Sequence, residues 1–565
     1  MQKTRHKRKS SCQNFLPAHI CNSFQQELET LVSTLVTEAG KEGSVHAQFK
    51  AAYLAAELKS KYCDSTTTPA EERRAAAITK WLATEDRNRV TNQRLLIEGA
   101  DFGWTTSDRL DGLVRDIIRD ILGPFDYWQL ITAGGHTNGA TTRVKRSPYG
   151  AILKHAGTAH ASESLLPHWA ARSVGTVLEH QKVVVRNSSE LFTVPKATDI
   201  DRVACKEPEL NMFQQRSIGK HIRRRLRAVA GINLNDQTVN QRLARDALHL
   251  GLATIDLSAA SDSITEQLVV NWLPPEWFLL LNDLRVKSVR IPNWPRKGQE
   301  TTRELSMFSS MGNGFTFELE SLLFYALTRA VAYLTGAKGK ISVYGDDIIC
   351  PASIGPRLAR VFAWYGFKVN PKKSNWSGYF RESCGKHYHR GLDVTPFYLR
   401  GPVKSKTDVI RLLNRLLVWD GSPIGFITDD RVLEFHQKWS LQIPRQLWGG
   451  QDPEDITSLV TGHSPRMRLT RSTVEFTEFR EDNKRHIKVP RPLGQKGHRL
   501  LVGAYDGDAA VKYWLTHRGE GDDPLFVDPG KEGKYQISPQ PAWLERSAWT
   551  PWLLTELESC TEVHV

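Results

Sequence analysis

The sequence lacks any arrangement of cysteines that would build a disulfide framework. Seven are scattered at positions 12, 21, 63, 205, 350, 384 and 560, an odd number with no Cys-x-x-Cys pair. That pattern reads as reduced thiols, not as a stapled secreted scaffold. Long hydrophobic runs are also missing. The best candidate, 319–336, is interrupted by Glu320 and Arg329, so no membrane span is expected. The first residues are basic but no apolar stretch follows them, so no secretory leader is expected there. No internal repeat is visible, which argues against a solenoid or propeller. What remains is an ordinary globular composition, 40% hydrophobic and 24% charged, compatible with a sizeable core. The length of 565 residues favours several domains or one large multi-lobed enzyme. Lysine and arginine number 76 against 62 acids, a net charge of +14. Such an excess favours a polyanionic partner, with nucleic acid ahead of an anionic membrane.

The stretch around which the chain is organised runs Ser342-Val343-Tyr344-Gly345-Asp346-Asp347-Ile348-Ile349-Cys350. Two apolar, β-rich arms flank a Gly-Asp pair that favours a tight hairpin turn. The turn carries two adjacent carboxylates, and nothing basic stands within three residues on either side. Adjacent acids at a buried edge repel each other and lose hydration, and a divalent cation such as magnesium is the usual remedy. The bland alternative is a solvated turn, against which the apolar arms argue. Residues 251–256 (Gly-Leu-Ala-Thr-Ile-Asp) read as a second buried strand ending in an acid. If both strands share one sheet, Asp256 joins Asp346 and Asp347 in a two-metal site; alone it would be an ordinary capping acid. Asp262 is expected to open the following helix.

The rest of the chain supplies cations and glycine-rich loops. Helices are expected between Ser23 and Ala83, and again through Leu110, Leu113, Ile117 and Ile121, stopping near Gly123-Pro124. The loop from Gly134 to Arg146 ends in Arg143, Lys145 and Arg146 and suits either phosphate approach or a plain surface turn. Strands are expected at 182–186 and 191–194. Lys196, Arg202 and Lys206 then space three cations along extended chain, and Arg223, Arg224, Arg225 and Arg227 follow on a helix starting near Met212. Such cations line a phosphate channel or decorate a solvated face. The loop Ser306–Gly314 leads into a long apolar helix from Phe315 to about Leu334, with Gly312 and Gly314 permitting close approach and Asn313 offering an amide. Beyond the acidic hairpin, Lys372 and Lys373 include a candidate proton donor to a leaving pyrophosphate. Gly385-Lys386 is not a P-loop, since Phe380 stands where its first glycine belongs. Cys384, His387 and His389 lack a fourth zinc ligand. The basic segment 1–12 reads as a solvated tail or an RNA-touching arm, and 519–534 as loop.

Together these runs resemble the RNA-directed RNA polymerases of the single-stranded RNA bacteriophages, the leviviruses. The resemblance is carried by Leu234–Arg242, Ala253–Ser263, Ser310–Ser321, Tyr344-Gly345-Asp346-Asp347 and Phe380–His387, with polymerase motifs A to E in the required order. It implies an α+β right hand of fingers, palm and thumb, with an antiparallel palm sheet backed by helices. The expected division is an N-terminal region and fingers over 1–245, a palm over 246–400, and a thumb and C-terminal region over 401–565. Asp256, Asp346 and Asp347 would hold two Mg²⁺. Lys196, Arg202 and Lys206 would meet the triphosphate, Asp262 and Asn313 would read the ribose 2′-hydroxyl beside Gly312, and Lys372 or Lys373 would be the motif D proton donor. Two departures stand out. Many viral polymerases of higher cells place the second motif A acid five residues after the first, whereas Asp262 follows Asp256 by six; and Glu320 stands where those enzymes end motif B with asparagine. The family also implies an RNA template, ribonucleoside triphosphates, host elongation factors Tu and Ts, an RNA-binding ribosomal protein, and the host bacterial cytoplasm. The competing readings are a reverse transcriptase, disfavoured because no aromatic gate follows Asp256, and a non-catalytic RNA-binding protein.

Overall fold

The computed structural model describes residues 16–421 and 429–461, with short breaks at 65–67, 148–149, 156, 177, 180, 197–198, 451–452 and 454–457, and isolated strand segments between 468 and 538. The expectations for segments 1–12 and 519–534 lie outside the described residues. The chain forms two compact units, one spanning Ser65–Asp393 and the other built from residues before Ser65 and after Asp393. The second of these packs helices Ala18–Glu42, Val45–Glu57, Lys406–Gly421 and Asp430–Ser440 around one apolar core. Phe24 and Leu28 of its first helix are fully buried, and Phe24 meets the Trp439 ring edge-on at 5.0 Å. Each such ring, taken out of water, contributes about 2–3 kcal/mol.

The Ser65–Asp393 unit carries the motifs. It opens with helix α1 (Ala70–Ile97) and helix α2 (Ser107–Leu122). Leu110, Val114, Ile118 and Ile121 recur at helical spacing on α2 and are all buried. Thr106 caps its start by accepting the Arg109 N–H, and Gly123 ends it at φ +74°, as the sequence suggests. Strands β1 (Ser188–Pro195) and β2 (Asp201–Lys206) form an antiparallel pair, with Val194 opposite Arg202. Helix α3 (Glu209–Arg225) begins directly after Pro208, three residues earlier than the expected start at Met212, because proline fits the entry to a helix. Helix α4 (Thr238–Arg245) then leads to strand β3 (Leu252–Ile255).

Asp262 does not open an α-helix. It sits in a single 3₁₀ turn, Ser261–Ser263, and the helix is Glu266–Trp272. Ala259 takes φ +53° and the buried Ile264 is extended, so the chain is not in helical geometry until past Thr265. Strands β4 (Ser288–Pro292) and β5 (Glu300–Glu304) complete a four-stranded sheet in the order β2-β1-β4-β5, where β1 and β4 run parallel.

Helix α5 (Thr316–Leu334) is apolar on nearly every face and is buried, packing against α2 and α3. Strands β6 (Ser342–Tyr344) and β7 (Asp347–Pro351) follow as a hairpin, and β3-β7-β6 make a three-stranded antiparallel sheet. Helix α6 (Gly355–Trp364) buries Leu358, Val361 and Phe362. The unit closes with the hairpin β8 (Phe380–Ser383) and β9 (Lys386–His389). The result is a mixed helix-and-sheet architecture with the acidic turn at one end of its central antiparallel sheet.

Candidate active site

The hairpin closes with Tyr344 paired to Asp347, so Gly345 and Asp346 are the two turn residues. Gly345 has φ +62°, and a Cβ there would lie 2.8 Å from the Phe317 ring. Glycine at the first turn position is what a hairpin turn of this hand demands. The Gly345 N–H donates to the Ser321 hydroxyl at 3.0 Å, which ties the turn to helix α5. The arms are buried as expected: Val343, Ile348, Ile349 and Cys350 expose 1% or less. On the other side β7 pairs with β3, with Ile348 opposite Ile255. That register sets Asp256, the next residue after β3, beside Asp347. The three expected acids therefore meet at one end of one sheet.

Their electrostatics follow from this crowding. Burial raises the Asp346 carboxyl above its ordinary value, and Asp256 adds to the effect. Burial and then the neighbouring Asp346 push Asp347 up to about 7. Glu320, buried on α5, is held well above its ordinary value by burial and then by Asp346, Asp262 and Asp347. Five acids, Asp256, Asp262, Glu320, Asp346 and Asp347, thus act on one another at this end of the sheet.

Protein partners hold two of the acids. The Asn370 amide donates to Asp256 Oδ1 at 2.9 Å, and Lys373 Nζ lies 3.3 Å from Asp256 Oδ2. Lys373 also lies 3.3 Å from Glu382 Oε1. Burial alone would lower its pKa, yet Glu382 and Asp256 together hold it above the ordinary lysine value. Lys372 is exposed, and its backbone N–H donates to Asn370 Oδ1. The Ser383 hydroxyl donates to Asp347 Oδ1 at 3.3 Å, and the Asn240 amide donates to the Asp347 backbone carbonyl at 3.1 Å. Among the described residues no three His, Cys, Asp or Glu side chains are gathered into a ready cage for a metal ion.

The expected nucleotide-contact residues divide into two groups. Lys196 and Arg202 are exposed, and both lower the Asp262 carboxyl that burial and Glu85 push up to about 7, so they face the acidic end of the sheet. Lys206 instead pairs with Glu190 at 2.8 Å and covers the Phe192 ring. Gly312, at φ +121°, presses against the Cys205 carbonyl of β2, where any side chain would collide, and Met311 accepts the Cys205 N–H. Asn313 is buried, and its side-chain oxygen accepts the Phe315 N–H at the entry to α5. Three of the four arginines in the run 223–227 are engaged by protein groups. Arg223 grips Glu318 and the Leu234 carbonyl, Arg224 reaches Gln129, and Arg225 donates to the Ile121 carbonyl. Residues that sequence reasoning did not single out, Asn240, Asn370, Glu382 and Ser383, brace the acids. Asn240, Glu382 and Ser383 lie inside runs that carried the resemblance, which was the available signal.

Residues 14–520 match the family described as RNA replicase, beta-chain. The chain belongs to that family. Its activity is accordingly that of an RNA-directed RNA polymerase, which decides against a reverse transcriptase or a non-catalytic binding protein. The RNA-directed RNA polymerase beta chain of Enterobacteria phage fr is 39% identical over 417 residues, 71% of this chain and 73% of the relative. The corresponding beta subunit of Enterobacteria phage SP is 40% identical over 524 residues, 90% and 88% of the two chains. That of Escherichia virus Qbeta is 39% identical over 411 residues, 72% and 68%. Among solved structures, the RNA-dependent RNA polymerase of a human picorbirnavirus overlaps 46% of this chain and 58% of its own, at 14% identity and a TM-score of 0.33. Among the described residues no helix is long and apolar enough to cross a membrane.

Proposed function

We propose that the chain copies a single-stranded RNA phage genome by nucleotidyl transfer at the end of the β3-β7-β6 sheet, with Asp256, Asp346 and Asp347 holding two Mg²⁺. The observation that carries this reading is the pairing of Ile255 with Ile348, which brings the acid after β3 beside the acidic turn. The donor set fits the ion: hard carboxylate oxygens suit magnesium, and burial with the neighbouring acids disfavours the charged forms of Asp346 and Asp347, a penalty that a bound cation would relieve. When bound, the ions activate the 3′-hydroxyl of the growing strand and stabilise the triphosphate and the departing pyrophosphate.

The chain's own residues take the remaining roles. Lys373 is the motif D proton donor in preference to Lys372, because only Lys373 reaches the acids. Arg202 and Lys196 draw the triphosphate in, while Lys206 is partly spent on Glu190 and contributes less. Asp262 and Asn313 read the ribose. The Asn313 oxygen is committed to the Phe315 N–H, so its NH₂ group is the part that faces the sugar. Gly312 keeps the loop close to β2. Residues 1–245, 246–400 and 401–565 serve as fingers, palm and thumb with their flanking regions. The template and ribonucleotides are joined by host elongation factors Tu and Ts and an RNA-binding ribosomal protein, in the bacterial cytoplasm.

The test is RNA synthesis by the purified chain from a short single-stranded RNA with four ribonucleotides and Mg²⁺, with and without bacterial extract, beside Asp346→Asn. Product from the wild type and none from the variant, with RNA binding kept by both, is the expected result. Equal product from both would overturn the assignment.

A further inference from the structure

Both oxygens of Asp256 are already engaged, one by the Asn370 amide at 2.9 Å and the other by the Lys373 ammonium at 3.3 Å. A divalent cation bound at that oxygen and the ammonium beside it repel each other, which weakens the hold of the lysine on Asp256. Metal entry at Asp256 therefore favours movement of Lys373 away from it. The Lys373 side chain is 47% exposed, so a displaced ammonium keeps part of its hydration and would leave for water unless a second anion holds it beside the site. A second anion is already within reach. Glu382 Oε1 lies 3.3 Å from the same ammonium, and the Glu382 side chain is 8% exposed. Its position is set by its place on β8. The Glu382 N–H donates to the Thr254 hydroxyl of β3, two residues before Asp256, and Glu382 pairs across the hairpin with His387.

We propose that Glu382 is a positioning residue that receives Lys373 when a divalent cation takes Asp256, so that the lysine passes from a two-carboxylate bridge to a one-carboxylate hold. The proposal rests on the reading of Asp256 as a metal ligand. It gives Lys373 two states with one short movement between them. In the first it substitutes for the cation at Asp256. In the second it stays beside the site, held by Glu382 alone. The affinity for metal is then set partly by how well Glu382 competes with Asp256 for the lysine.

The direct test is calorimetric binding of Mn²⁺ to the full chain in a double-mutant cycle of Glu382→Gln and Lys373→Met, with no nucleotide or RNA present. Neighbours that act through one another couple. Glu382→Gln is expected to weaken Mn²⁺ binding about tenfold in the wild-type background, because Lys373 then has only Asp256 to hold, and by less than about twofold once Lys373 is methionine. Lys373→Met alone is expected to tighten binding. Equal weakening by Glu382→Gln in both backgrounds would overturn the proposal and leave Glu382 acting through its charge alone. If Glu382→Gln does not fold, Glu382→Asp, which draws the carboxylate back by one methylene, replaces it in the same cycle with the same two outcomes. Wild-type protein that binds no Mn²⁺ would sink the metal reading itself, and this proposal with it, whereas binding that Asp256→Asn abolishes but the cycle does not couple would sink only the handover.

Discussion

The Asn240 side chain joins the two arms of the acidic hairpin: its amide donates to the Asp347 carbonyl of β7 at 3.1 Å, and its oxygen accepts the Ser342 hydroxyl of β6 at 2.6 Å. The same amide lies 3.5 Å from the hydroxyl of Ser383, which in turn donates to Asp347 Oδ1. One buried residue of α4 thus sets both the backbone and the carboxylate of Asp347. Asn240→Ala leaves these buried groups unsatisfied and is expected to destabilise the fold by about 1–3 kcal/mol. Synthesis should fall further than stability does, with a higher Mg²⁺ requirement. Thermal melts beside a magnesium titration of polymerase activity would check this. An activity loss that extra magnesium leaves unchanged would count against the hairpin-setting role.

Gly312→Ala places a methyl group against the Cys205 carbonyl at a backbone angle of φ +121°. Neither the strand nor the loop can yield without losing the Cys205 N–H bond to Met311, which is 2.8 Å long. The substitution is expected to cost about 2 kcal/mol or more and to raise the KM for ribonucleotides, since the loop also carries Asn313. Thermal unfolding and steady-state kinetics on the same preparation test both parts.

Arginines 202 and 223 should respond in opposite ways. Arg223 is fastened to Glu318 at 2.5 Å and to the Leu234 carbonyl at 2.6 Å. Arg223→Ala should destabilise by about 2–4 kcal/mol by leaving Glu318 partly buried and unpaired, with little change in nucleotide KM. Arg202 is exposed and makes no ion pair among the described residues. Arg202→Ala should leave the melting temperature nearly unchanged and raise the nucleotide KM about tenfold, the size of a lost charge-assisted contact. Reversed effects would reverse the assignment of channel and scaffold.

Glu207 supplies a pH dependence. It is 2% exposed, and burial pushes its carboxyl up to about 7, against the Gln215 amide that lowers it. Its folded pKa lies above its unfolded value of about 4.3. The unfolded state therefore releases this proton first, and stability is lost as pH rises from about 4 to about 7. Glu207→Gln removes that loss. The variant should be more stable than the wild type at pH 8, on the order of 3 kcal/mol, and indistinguishable from it near pH 4. Chemical denaturation across that range is the check.

The hairpin, its buried arms and the amphipathic helix through Leu110 and Ile121 were legible because each depends on neighbours in sequence: alternation, helical spacing, and a glycine where a turn needs one. The start of helix α3 was misplaced by three residues, and the helix after Asp262 was expected too early, because a positive φ at Ala259 cannot be read from an alanine. The arginine run divides in the structure: Arg223, Arg224 and Arg225 hold protein groups, while Arg227 is exposed. Four arginines in five residues look the same in sequence whether they face a channel, stand in solvent or hold neighbouring segments.

By itself the sequence determined the local elements, the net charge of +14 and the identity of the acids. Those follow from the order of side chains along a chain with few backbone states. Only the tertiary structure decided the partners. Asp256 and Asp347 stand together because Ile255 pairs with Ile348 across more than ninety residues of chain. Lys373 is distinguished from Lys372 because one of the two adjacent side chains turns toward Asp256 and Glu382. Register and side-chain direction are set by packing between distant segments, and spacing along the sequence carries no record of them.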